Sequence, residues 1–223
     1  MNLGILSAVG VGFVLGVRHA FEPDHLAAIT TLAARDRGWQ HALRLGVAWG
    51  VGHTLSVAAV AIALIVVGVH VPASFYRTAE LVVAVLLILL GGSSLVAEAR
   101  RHRATLGPSH ADAHLAGAPH SHDLRAATLA RSLGFGVAHG MAGSGAVIVL
   151  LVAAASTGAG QMGYLAAFGM GTVVGMSMVS VMATTISGMA AGRGLQLAQH
   201  LRVGSALASA AIGVLLGWRV VLG

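Results

Sequence analysis

Gly16-Val17-Arg18-His19-Ala20-Phe21-Glu22-Pro23-Asp24-His25-Leu26-Ala27-Ala28-Ile29 sets five ionisable side chains and a proline inside one long apolar segment. Ionisable groups in hydrocarbon are costly, so their default reading is functional. On an unbroken helix His19 and Asp24 would sit about 140° apart and could not share a small ligand. Pro23 changes that, because it offers no N–H to the carbonyl of His19 and its ring clashes there. The helix is therefore predicted to kink or unwind over 19–23. Imidazole nitrogens, a carboxylate and a freed carbonyl could then converge.

The rest of the chain fits a membrane setting. Of 223 residues, 57% are hydrophobic and 9% charged, and mean hydropathy is +0.85. Soluble domains carry about 25% charged residues. These values exclude an ordinary soluble enzyme and a disordered chain, and they point to an all-α polytopic protein embedded in a lipid bilayer. There are no cysteines, which removes disulfides, thiolate metal sites and dithiol electron transfer. No cleavable signal peptide is read at the start.

Apolar segments run over 3–32, 43–69, 78–98, 126–155, 161–190 and 203–221. Segments one and four are each interrupted, the fourth by His139 and the run Gly140-Met141-Ala142-Gly143-Ser144-Gly145. Arginine placement gives the topology. Arg35, Arg37, Arg100, Arg101, Arg103, Arg125, Arg193 and Arg202 follow segments one, three and five, whereas the opposite loops and the termini hold only Arg77. The positive-inside rule then puts the odd loops in the cytoplasm and both termini outside. The arginines read as topology signals, and nucleic acid is not an expected partner.

The halves resemble each other. Gly16-Val17-Arg18-His19-Ala20 aligns with Gly136-Val137-Ala138-His139-Gly140 at an offset of 120. Gly52-His53-Thr54 aligns with Gly175-Met176-Ser177 at 123, and Leu89-Leu90-Gly91 with Leu215-Leu216-Gly217 at 126. Three spans per half require opposite insertion. The expectation is two inverted three-span repeats, residues 1–98 and 125–223, with broken helices in segments one and four. Between them, residues 99–124 hold His102, His110, His114, His120 and His122 and are read as a His-rich cytoplasmic linker that makes weak, mobile contacts with metal.

Imidazole with carboxylate suits borderline divalent ions such as Ni2+, Co2+ and Zn2+ better than Ca2+ or Mg2+. His19, Asp24 and His25 are the first metal-ligand candidates, with His53 and His139 completing the set. Arg18 and Glu22 read better as an ion pair. Met176 is the one span-five methionine considered as a soft ligand, the others reading as packing. His41, His70 and His200 sit at span ends and carry no assignment.

Residues 16–29 resemble the His-x4-Asp-His signature of the nickel/cobalt transporter family, in its short, six-span UreH-like branch. Gly50-Val51-Gly52-His53-Thr54 is similar to that family's Gly-His-Ser/Thr motif, and 136–144 to its His-Gly-x-Ala-Gly-Ser stretch. The resemblance implies that His19, Asp24 and His25 bind metal in a permease. Ni2+ or Co2+ would be its transported substrate, with no cofactor, and a cytosolic metal acceptor is a partner to consider. Three readings follow: uptake of Ni2+ or Co2+; efflux fed by the loop histidines; and an intramembrane metalloenzyme, which lacks a His-Glu-x-x-His helix and has Glu22 as its sole candidate base.

Overall fold

The computed structural model describes residues 3–33, 38–66, 72–105, 129–142 and 157–222. All secondary structure among them is helical: α1 (Leu3–His19), α2 (Pro23–Ala33), α3 (Trp39–Val66), α4 (Ala73–Thr105), α5 (129–142), α6 (Gly158–Arg193) and α7 (Leu195–Leu222). Among the described residues, four stretches are long and apolar enough to cross a membrane: Trp39–Ala63, Ala73–His102, Gly158–Arg193 and Leu195–Leu222. Gly4–His19 and Pro23–Leu32 meet the same measure only as a pair, bent by 58°. The exterior carries exposed Val14, Leu55, Leu89, Met170, Ile186 and Val214, a surface suited to lipid rather than water.

The predicted break in the first segment falls at residues 20–22. α1 closes with tight turns, the Phe21 N–H donating to the Arg18 carbonyl and the Glu22 N–H to the His19 carbonyl at 3.0 Å. Pro23 then opens α2 at the first helical position, where its missing N–H costs nothing. The Leu26 N–H returns to the Glu22 carbonyl. The His19 carbonyl, expected to be freed, is thus taken by Glu22. The break gathers side chains, not bare backbone.

The helices outrun the apolar segments. α4 continues through Arg100, Arg101 and Arg103 to Thr105, so the polar stretch that begins at residue 99 starts on a helix. His110, His114, His120 and His122 lie outside the described residues, as do His70 and Gly143-Ser144-Gly145. At the other end of the second half, Gly194, with φ 149, joins α6 to α7 in a turn that L side chains rarely adopt.

Small residues bring the helices into backbone contact. α1 packs on α6, where a side chain at Gly16 would strike Phe168 and Thr172, and one at Gly171 would strike Phe13 and Val17. α3 packs on α5 in the same manner. A side chain at Gly136 would strike Trp49 and His53, and one at Gly52 would strike Leu133 and Val137. α4 and α7 meet through Gly91 against Ala206 and Ala210, and through Gly213 against Ala84 and Ile88.

The contacting glycines fall in matching positions: Gly16 and Gly136 stand 120 residues apart, Gly52 and Gly171 119 apart, and Gly91 and Gly213 122 apart.

One end of the bundle is tied by polar contacts. The Thr31 hydroxyl of α2 donates to the Ser205 carbonyl of α7 at 3.0 Å. Arg202 of α7 clasps Glu98 of α4 with two hydrogen bonds, Nη2 at 2.8 Å and Nε at 3.0 Å, and Arg101 stands 3.8 Å from the same carboxylate.

Candidate functional site

Four helices bring His19, Asp24, His25, His53 and His139 together. His19 ends α1, Asp24 and His25 lie in the first turn of α2, His53 is mid-α3 and His139 is on α5. The histidines are buried, with His53 at 0%, His25 at 1%, His139 at 3% and His19 at 8% exposure. Asp24 is 28% exposed and Glu22 52% exposed, so the cluster opens on the carboxylate side.

The contacts run as a chain. Glu22 Oε1 meets His19 Nδ1 at 3.0 Å, and His19 Nε2 meets His53 Nε2 at 3.1 Å. Asp24 bridges two histidines, Oδ1 to His25 Nδ1 at 3.2 Å and Oδ2 to His139 Nε2 at 2.9 Å. The His25 ring lies at the centre, with centroids 4.6 Å from His19, 5.3 Å from His53 and 4.3 Å from His139. His25 Nε2 and His53 Nδ1 are buried without a hydrogen-bond partner among the described residues. Buried polar atoms are nearly always satisfied, so two such nitrogens in one cluster call for a ligand.

Two sets of donors are close enough to hold an ion. The donor atoms of His19, His25 and His53 lie within 4.8 Å of one another, as do those of Asp24, His25 and His139. Two donors bound to one ion at about 2.1 Å stand about 3–4 Å apart, so both sets are near coordination spacing.

Some sequence expectations differ here. Glu22 pairs with His19, while Arg18 is exposed, so the Arg18–Glu22 ion pair is replaced by a carboxylate–imidazole contact. Met176 packs in the apolar core with Ala20, Ile29, Trp49 and Leu87, while Met170, Met178 and Met182 are exposed. The Ser177 hydroxyl donates to the Val173 carbonyl. His41 and His200 stand apart from the cluster, and Ser144 lies outside the described residues.

Two aromatic side chains, Trp49 and Phe168, stand against site histidines, each stacked on a second ring. Trp49 stacks on Phe135 at 5.6 Å and touches His139 at 5.7 Å. Phe168 stands 5.5 Å from His19, and Tyr164 stacks on Phe168. Trp49 has a local signal, being one turn before His53; Phe168 comes from a distant helix and has none.

A helical membrane protein with ionisable side chains gathered at its buried centre belongs to the class that includes membrane transporters. The chain is a member of NicO, the high-affinity nickel-transport protein family, which it matches over residues 5–216. It is also 30% identical over 175 residues to the urease accessory protein UreH of Bacillus sp. (strain TB-90), covering 78% of this chain and 75% of that one. The family is one of transporters, not enzymes. No solved structure matches the chain.

Proposed function

We propose that the protein is a secondary permease that carries Ni2+, with Co2+ as the alternative substrate, inward across the cytoplasmic membrane. The observation that carries this is the cluster itself: four buried imidazoles and one carboxylate, with His25 Nε2 and His53 Nδ1 lacking partners among the described residues. His19, Asp24, His25, His53 and His139 are its metal ligands in this reading. Their N/O donor set favours Ni2+ or Co2+ over Ca2+ or Mg2+. The membrane potential contributes about 2.3 kcal/mol per charge per 100 mV, doubled for a divalent ion, and favours uptake without ATP.

The transport path in this reading runs between two inverted three-span repeats. The close glycine contacts support it: exchanging α1 with α5, α3 with α6 and α4 with α7 carries those of Gly16, Gly52 and Gly91 onto those of Gly136, Gly171 and Gly213. In this reading the pair α1 and α2, bent by 58°, is one broken span. The ends of α2 and α4 and the start of α7 lie together, and the arginines there assign that side to the cytoplasm in this reading. Both termini are then outside. Asp24 and Glu22, the partly exposed members, mark the open side of the cluster in this reading, and Phe168, stacked with Tyr164, stands against His19.

The test is Ni2+ flux in proteoliposomes holding the purified protein in one orientation. Under a negative-inside potential, uptake predicts accumulation that collapses with the potential. Accumulation only against that potential, driven by a proton gradient, would favour efflux.

A further inference from the structure

We infer that the cluster holds one ion in two alternative positions that share His25, rather than in one five-ligand shell. The inference rests on the metal-carrying reading above and adds the internal step of transport. Among the described residues, the donors that come within 4.8 Å of one another form two groups of three, His19-His25-His53 and Asp24-His25-His139, and no fourth described residue joins either group within that limit. His25 belongs to both.

The positions differ in chemistry. Asp24-His25-His139 includes the carboxylate and the partly exposed edge, so it cancels one ionic charge and can accept an ion that keeps some water. His19-His25-His53 is all imidazole and buried throughout, with Phe168 beside it. That position gives up charge neutralisation for ligand softness and selects against oxygen-preferring ions. Two divalent ions a few ångströms apart would repel strongly, which favours one ion at a time in the cluster.

The supporting side chains fit that division. Glu22 engages His19 Nδ1, which leaves His19 Nε2 turned toward His53 and away from the carboxylates. Asp24 engages both His25 and His139, so an ion arriving at the outer position replaces contacts already formed there. Transfer then exchanges Asp24 and His139 for His19 and His53, with His25 contributing one ring nitrogen or the other at each position.

The test is Ni2+ binding to the purified protein, by calorimetry and by X-ray absorption at the nickel edge, which reports imidazole ligands. The variants are His53→Gln, His139→Gln and His25→Gln, chosen to keep volume and polarity, with size-exclusion profile and helix content as folding checks. Wild type is expected to bind one Ni2+ per chain. His139→Gln should still bind one, in an imidazole-only shell, and His53→Gln should bind one in a shell that includes a carboxylate. His25→Gln should weaken binding at least a hundredfold. Both single-position variants should lose net transport. If folded His53→Gln and His139→Gln each lose binding as completely as His25→Gln, the five residues form one shell and the inference is overturned, with the metal-carrying reading intact. Two ions bound at once in wild type would overturn it as well. If no variant changes binding, the metal-carrying reading itself fails.

Discussion

His19 and His53 meet nitrogen to nitrogen, Nε2 to Nε2 at 3.1 Å, from helices that are far apart in sequence. One ring must donate and the other accept, and His53 Nδ1 on the far side has no partner among the described residues. A structural histidine pair would use all its nitrogens. This pair leaves one buried nitrogen without a partner among the described residues.

Glu22 holds the opposite nitrogen of His19 and so fixes which nitrogen faces the cluster. Carboxylates that orient a ligand imidazole are worth roughly 10–100-fold in metal affinity. Glu22 is half exposed, which places the effect at the low end. Glu22→Gln is expected to raise the Ni2+ concentration for half-maximal uptake about tenfold, with a smaller change in maximal rate, measured as initial uptake across a concentration series.

Backbone contact at Gly136 separates a packing requirement from mere composition. An added methyl there would strike Trp49 and His53, whereas at Gly134, two residues away on α5, nothing lies within 4 Å. Overpacking costs about 1–3 kcal/mol. Gly136→Ala should lower the stability measured by unfolding in detergent by that amount, and Gly134→Ala should leave it unchanged or slightly raised.

The Glu98–Arg202 clasp joins α4 to α7 where both helices leave the apolar region. Hydrogen bonds to charged groups contribute about 1.5–3 kcal/mol. Arg202→Ala should destabilise the purified protein within that range. Glu98→Gln/Arg202→Gln should recover part of the loss, because the buried carboxylate charge is removed together with its main counter-ion. Thermal unfolding of wild type, Arg202→Ala and the double variant measures this.

Orientation can be read with single cysteines, since the chain has none of its own. Phe75, near the start of α4, and Leu195, at the start of α7, are both exposed. In intact cells, Phe75→Cys should react with a membrane-impermeant maleimide, and Leu195→Cys should react only after the membrane is opened. The reverse pattern would invert the topology.

Much of the site is legible in the amino-acid sequence. Pro23 marks the break because its effect is local: a missing N–H and a steric clash four residues back. His19, Asp24, His25, His53 and His139 stand out because titratable groups are rare in apolar segments. Relations set by cross-helix packing are not legible in this way. Gly52-His53 resembles Gly175-Met176 in composition, but which glycines seat against a neighbouring helix, Gly52 against Leu133 and Gly171 against Phe13, is not visible in a local pattern. Arg18 is an attractive partner for Glu22 by charge, but the backbone turn at 20–22 brings Glu22 under His19 instead. Phe168 joins the site through the α1–α6 contact at Gly16, a pairing that no local window contains.

The most direct test of the account is potential-driven radioactive nickel uptake by proteoliposomes carrying wild type or His25→Gln at matched protein content. The account predicts accumulation with wild type and a fall to the level of protein-free vesicles with His25→Gln. Undiminished accumulation with folded His25→Gln would contradict it.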